Sequence, residues 1–166
     1  EKGLLRRLAA TPINRSSIVL GKWGGKMFLG LIQISFAMLA GTFLFGMNWG
    51  QDFPFVVILM FAWGAFCASC GLLLGTIGRT EGQVSGLGVL LSMGLAALGG
   101  CWWPIEITPA SMQLLQKFLP SGWAMDGMHK LINFGDGPAS IMPHIAALFV
   151  GALLIGWLAQ RKFRFQ

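Results

Sequence analysis

Charged residues are scarce in this chain. Asp, Glu, Lys and Arg make up 11% of its 166 residues, whereas 55% are hydrophobic and the mean hydropathy is +0.68. Soluble domains carry roughly 25% charged residues. Because a lipid-facing surface requires such a deficit, the composition excludes an ordinary soluble domain and predicts an all-α integral membrane protein.

The motifs of nucleotide and metal chemistry are also missing. The strings LGKWGGK and GTIGRTEG lack the glycine spacing of GxxxxGK[ST] and its Ser or Thr after Lys, so we expect no ATP binding by this chain. His129 and His144 stand apart, without HExxH or a carboxylate pair at ligand spacing. The sequence therefore predicts no catalytic residue, no metal site and no cofactor within the chain.

Cysteine is rare as well. Cys67 and Cys70 form a CxxC, but no second pair completes a zinc site, and Cys101 stands alone. We interpret all three as small hydrophobic residues of buried helices, with no disulfide.

The basic residues are concentrated near the start of the chain. Half of the 12 lie within the first 26 residues, immediately before an apolar run. Lys and Arg beside spanning segments remain on the cytoplasmic side, so the net charge of +6 indicates membrane topology, and no nucleic-acid partner is expected. The chain begins with Glu and a long mixed segment, so we expect it to be part of a longer protein.

This first segment contains a short amphipathic pattern. Leu4, Leu5 and Leu8 fall on one helical face, and Pro12 ends the helix. The pattern predicts a cytoplasmic helix suited to a soluble partner.

Four stretches are apolar and long enough to cross a bilayer. Loop charges agree with both ends being cytoplasmic, because the loop after the first stretch holds only Asp52, whereas Arg79 and Arg161 follow the second and fourth. We therefore predict one multi-pass domain, residues 1–166, in the inner (plasma) membrane. Its predicted spans are 27–45, 55–77, 84–103 and 141–159.

The remaining segment, 104–140, is predicted to lie outside. Pro109 begins a short amphipathic helix that Pro120 ends, and Ser121 caps a second one closed by Gly135. Neither is long enough to span, which favours a helical hairpin in or on the outer leaflet.

Asp126, His129 and Lys130 share a face of the second short helix. Their spacing is typical of a solvated polar face with a local ion pair. The same residues also fit a proton relay or a catalytic site, and this alternative stays open.

Two strings carry a family resemblance. GLLRRLAATPINRSSIVLGK resembles the segment of ABC type-2 exporter permeases that precedes a spanning helix and contacts the ATPase. LGGCWWPIEITPASMQLLQKFLPSGWAMDGMHKLINFG resembles their later signature of a glycine pair, a proline-bounded loop and two short helices. The similarity extends over essentially the whole chain, although most of the outside helix is uncharged here.

The resemblance implies the last four of six spans of a permease subunit, with 1–15 as the cytoplasmic coupling segment and 104–140 as a re-entrant hairpin. It implies docking on a nucleotide-binding subunit that holds ATP and Mg²⁺, pairing with a second permease as a homodimer or heterodimer, and export of drugs, lipids or glycans. The implied coupling residues are Leu4, Leu5, Arg6, Arg7, Leu8 and Pro12. The implied outer-gate residues are Pro104, Glu106, Pro109, Pro120 and Trp123.

Two other functions remain as alternatives. An integral-membrane enzyme would use Asp126 and His129 in one polar cavity at the outer face. A passive helical channel would need neither a docking helix nor an ATPase. No residue pattern identifies the cargo or decides between a homodimer and a heterodimer.

Overall fold

A computed structural model describes residues 15–104 and 107–162. These residues form helices and connecting turns, with no β strand among them. The six helices are α1 (Arg15–Phe45), α2 (Phe53–Ile77), α3 (Glu81–Leu98), α4 (Ala110–Gln116), α5 (Pro120–His129), which continues into a π-helical turn (Lys130–Phe134), and α6 (Pro138–Lys162).

Four of these helices, α1, α2, α3 and α6, are long and apolar enough to cross a membrane. Their number and order confirm the predicted fold class. Many large apolar side chains point outward, including Phe43, which is 81% exposed, and Phe36 and Leu90, each 72% exposed. A surface of this kind suits a hydrocarbon environment.

The centre of the bundle is α2. It packs against α6 over most of its length and also contacts α1, α3 and α5. Small residues make the close approach to α6 feasible, because Ala62, Ala65 and Ser69 on α2 are almost completely buried. On α6, Ile145 and Leu148 are buried in the same core.

Helix α1 contacts the bundle through one stripe. Val19, Trp23, Met27 and Leu31 recur at intervals of four residues and pack against the core, as Met38 does further along, while most other residues of the helix are exposed. Trp23 Nε1 donates a 3.0 Å hydrogen bond to Ser69 Oγ, which fixes α1 against α2.

The ends of the long helices differ from the ends of the predicted spans, as three examples show. The first helix begins at Arg15, well before residue 27, because the stripe that starts at Val19 extends the amphipathic pattern into the basic segment. The third ends at Leu98, not 103, because Gly99 and Gly100 follow and Gly100 has a φ of 82°. The fourth begins at Pro138, before residue 141.

The short helices also differ from prediction. Helix α4 ends at Gln116, and Pro120 opens α5 instead of closing α4, as suits a residue without a backbone N–H in a first helical turn. Leu119, not Ser121, occupies the cap position of α5. The predicted closure at Gly135 is confirmed, since this residue ends the π-helical turn with a left-handed φ of 64°.

Candidate functional site

The predicted coupling residues, Leu4 to Pro12, lie outside the described residues, as does Glu106 of the predicted outer gate. The other four gate residues are described. Pro104 follows the turn after α3, and Pro109 directly precedes α4. Pro120 is the first residue of α5, and Trp123 is the fourth.

Helix α5 is the anchored part of the predicted hairpin. It contacts α2, α3 and α6, and it buries Ser121, Ala124 and Gly127. Helix α4, by contrast, has no buried residue. The two short helices therefore differ: α5 is part of the packed bundle, and α4 lies at its surface.

A glycine permits the contact between α5 and α2. A Cβ atom on Gly127 would lie 2.9 Å from Cδ2 of Leu59, a side chain that is fully buried. Real Cβ atoms do not approach other atoms this closely, so the absence of a side chain sets the separation of the two helices.

Two hydrogen bonds hold the segment between α4 and α5. Gln116 Nε2 donates to the carbonyl oxygen of Gly99 at 3.1 Å, which joins the end of α4 to the end of α3. Trp123 Nε1 donates to the carbonyl oxygen of Lys117 at 2.7 Å. The indole of Trp123 thus has its polar edge satisfied while its ring stays half-buried.

Asp126 connects α5 to the last long helix. Its Oδ2 lies 2.8 Å from Lys130 Nζ, one helical turn further along, and 2.8 Å from His144 Nε2 on α6. The local ion pair predicted from the i, i+4 spacing is confirmed. Within the described residues, Nδ1 of His144 is buried and has no hydrogen-bond partner. The tautomer protonated on Nε2 therefore fits the site, because its N–H points at the carboxylate.

The pKa of the Asp126 carboxyl reflects opposing causes. Burial raises it, but the hydrogen bonds and positive charge of Lys130 and the interaction with His144 outweigh burial, so that the net pKa is lowered. The carboxylate is thus ionised at neutral pH and holds two donors from different elements.

A cavity of about 430 Å³ opens beside this group. Its lining includes Gln116, Lys117, Trp123, Asp126, His144 and Ala147. It combines an aromatic ring with cationic, anionic and amide groups, and can accept an amphipathic group whose polar part faces Asp126 and His144.

His144 is the residue that sequence reasoning missed. The sequence places both histidines apart, and the enzyme alternative pairs Asp126 with His129, but His144 is the histidine within hydrogen-bond distance of Asp126, and His129 does not line the cavity. A signal was present, because an ionisable residue in an apolar helix usually has a polar partner nearby.

Across residues 15–104 and 107–162, no group of three His, Cys, Asp or Glu side chains converges at a spacing suited to a metal ion. Cys67 and Cys70 are free thiols on α2.

Comparisons with known proteins match this chain to transporter proteins. The profile of the family described as "ABC-2 family transporter protein" matches residues 1–161. Linearmycin resistance permease protein LnrN of Bacillus subtilis is 31% identical over 86% of this chain and 37% of its own length. Probable multidrug ABC transporter permease YbhS of Escherichia coli is 25% identical over 98% of this chain and 44% of its own length.

The chain thus spans less than half the length of these two relatives. No solved structure is significantly similar to it. The family match extends from the basic first segment to the end of α6 and includes all four long apolar helices and the anchored α5. The chain belongs to the ABC-2 family of transporter proteins, and it is a multi-pass membrane protein.

Proposed function

We propose that the chain forms the last four spans of a permease subunit in an ATP-driven exporter. The observation that carries the proposal is the family match over residues 1–161, which coincides with four helices of spanning length. A separate nucleotide-binding subunit would bind ATP and Mg²⁺ and supply the hydrolysis. Both ends of the chain would lie on the cytoplasmic side of the inner (plasma) membrane.

The first segment would couple this permease to the ATPase. Leu4, Leu5 and Leu8 would seat a short amphipathic helix on the nucleotide-binding subunit, and Arg6 and Arg7 would supply charged contacts. The support is the amphipathic spacing and the position directly before α1, an uninterrupted helix that starts at Arg15.

At the opposite end of α1 and α2, the short helices would form the outer gate. Because α5 packs on α2, α3 and α6, motion of those helices changes its contacts. The Asp126–His144 interaction is one contact that such motion would make or break. A change at the cytoplasmic end would then reach the gate through rigid helices.

The cargo would be hydrophobic or amphipathic, such as a drug, a lipid or a glycan. The printed names of two relatives refer to linearmycin resistance and to multidrug transport. The cavity beside Trp123 and Asp126 suits a molecule with both apolar and polar parts.

Substrate would pass between two permease halves, in a homodimer or a heterodimer. Helix α3 buries none of its residues against the described part of the chain. Its apolar faces are therefore available to a second permease, to preceding spans or to membrane lipid.

The membrane-enzyme alternative requires Asp126 and His129 in one polar cavity. The cavity at Asp126 is lined by His144 and not by His129. The passive-channel alternative differs from the proposed function in needing no ATPase, and the following experiment separates the two.

The test is crosslinking in the full-length protein, with its native cysteines replaced by serine. Leu4→Cys and Leu8→Cys each place a thiol on the proposed docking face, and Phe36→Cys places one on the outward surface of α1, within the predicted first span. A co-expressed nucleotide-binding subunit should crosslink to the first two variants, with a yield that changes on adding ATP and Mg²⁺.

Absent crosslinking of Phe36→Cys is the matched control, because a thiol within the membrane should not reach the soluble subunit. If no position on the helix captures the subunit, the coupling assignment is wrong and a channel without an ATPase becomes the better description. A crosslinking yield that stays the same with and without ATP and Mg²⁺ would show that the helix docks on the subunit but does not respond to nucleotide.

A further inference from the structure

A long apolar groove runs between α1, α2 and α6, at the end of the bundle where α1 begins and α6 ends. Its volume is about 770 Å³, which lies within the roughly 300–1,000 Å³ typical of small-molecule sites. Nearly all of its lining is apolar, with Val19, Phe61, Ala65 and Leu153 among the residues that form it.

The length of the groove matches one leaflet of a bilayer. Along α6 it extends from Phe149 to Gln160, a rise of roughly 16 Å at 1.5 Å per residue. This is about half of the 30 Å hydrocarbon thickness. A polypeptide helix that crossed the membrane would need a groove about twice as long.

Apart from the hydrogen-bonded pair Trp23–Ser69, the polar side chains that line the groove lie at one end. At the end of α6, Gln160 Nε2 donates a 2.7 Å hydrogen bond to Ser16 Oγ, which joins α6 to the first turn of α1. Towards the middle of the bundle the lining becomes aromatic and aliphatic, with Phe61 and Phe149 6.2 Å apart. The polarity thus changes along the groove as it does from the headgroup to the tail of a lipid.

The polar end is positively charged. Arg161 lies over the ring of Trp157, which lines the groove, with its Cζ 3.8 Å from the ring centroid. Neither α1 nor α6 contains an acidic residue. In the described part of the chain, Arg161 makes no ion pair, so its guanidinium has hydrogen-bond donors available for an anion.

We propose that this groove binds one anionic phospholipid, with an acyl chain between α1, α2 and α6 and the phosphate headgroup at Arg161. The stacked position on Trp157 holds the guanidinium at the mouth of the groove, where it can contact a phosphate through paired N–H groups. The proposal requires that the helices span a membrane, and it does not depend on transport.

The test is lipid binding to the full-length protein in detergent, followed by native mass spectrometry. Phosphatidylglycerol and phosphatidylcholine with identical acyl chains are the two probes. One basic side chain at an anionic headgroup contributes about fivefold to binding, so we expect about a fivefold preference for phosphatidylglycerol. Arg161→Gln should abolish that preference.

Lys162→Gln is the matched control, because it removes the same charge from the neighbouring residue, which has no contact with Trp157 described. This variant should retain most of the preference. Gly156→Leu tests the acyl part, since Gly156 lines the groove and a Cβ there meets only Ser69 Oγ, at an ordinary 3.6 Å. It should weaken binding of both lipids, and its thermal unfolding reports whether it is folded.

Several results would overturn the proposal. Equal binding of the two lipids would indicate an unselective apolar surface. A preference that survives Arg161→Gln would place the headgroup elsewhere. Absence of any retained lipid would indicate that another segment of the full-length protein, or a second copy, fills the groove.

Discussion

A single carboxylate oxygen of Asp126 contacts donors from two parts of the molecule. Lys130 belongs to the same short element, whereas His144 belongs to the last long helix. Replacing the carboxylate with an amide removes an ion pair and leaves one neutral oxygen to accept from Lys130 and from His144, whose ring is only 16% exposed. Asp126 thus stabilises its own helix through Lys130 and attaches that helix to α6 through His144.

We predict that Asp126→Asn lowers the free energy of unfolding by about 1 kcal/mol. Thermal unfolding of the full-length protein in detergent, at a fixed scan rate, measures the difference. The comparison belongs near pH 7. The pKa of this carboxyl is lowered in the fold, so its contribution is present above the ordinary value of about 3.9 and disappears as the pH falls through the lowered value.

Asp136→Asn provides the control for this change. Asp136 is exposed, and its side chain has no ion pair within residues 107–162. Its replacement should leave the unfolding temperature nearly unchanged. Equal destabilisation by both variants would mean that net charge, not the contact with Lys130 and His144, is responsible.

The two partners of Asp126 differ in how far sequence predicts them. Lys130 follows from helical spacing, which is a local property. His144 lies 18 residues away on another helix, and its approach depends on how α5 packs against α6. Spacing alone places His129 nearest to Asp126, so the sequence predicts the polar cluster but not the histidine that α6 contributes to it.

At the scale of elements, the position of α5 depends on close backbone approach to α2. Gly127 has no side chain where a Cβ would meet Leu59. We predict that Gly127→Val destabilises the protein by about 1–3 kcal/mol, the usual result of adding atoms to a filled core. Unfolding temperature and the yield of folded protein after detergent extraction are the measurements.

Gly25→Val in α1 is the matched substitution. A Cβ at Gly25 meets nothing within 4 Å, so the same change should have a small effect there. If the two variants unfold alike, the loss of glycine itself, or the β-branched side chain, accounts for the result, and the packing of α5 on α2 does not.

Hydropathy predicted the four long helices because about 20 apolar residues in a row are needed to span a membrane. Their ends were less predictable. Gly99 and Gly100 stop α3 inside an apolar run, where hydropathy gives no signal. The π-helical turn after α5 has no recognised sequence pattern, since it depends on Leu131 being drawn into the core.

For the whole molecule, the first inter-helix loop and the π-helical turn lie at the same end. A Cβ on Gly50, whose φ is 78°, would lie 2.8 Å from the carbonyl oxygen of Leu131. The turn between α2 and α3 lies at the other end of α2. The structure therefore places the α1–α2 loop and the π-helical turn on one side of the bundle and the α2–α3 turn on the other. Which of these sides is cytoplasmic is a prediction from loop charge.

Labelling with a membrane-impermeant maleimide tests this orientation in intact cells. Gln51→Cys and Asp136→Cys should react in a cysteine-free background of the full-length protein. Glu81→Cys, at the exposed start of α3, should react only after the cells are opened. The reverse pattern would contradict the predicted cytoplasmic ends, and uniform labelling would contradict the spans themselves.

The dominant contact between α2 and α6 has a consequence for biosynthesis. Helix α2 is made before its main partner, because α6 begins at Pro138 and follows α3, α4 and α5 in the chain. Until then, the small-residue face of α2 is covered only by lipid or by provisional neighbours. Packing of α2 therefore waits for α6, and a ribosome that stalls before α6 leaves a nascent chain whose central helix lacks its main native partner.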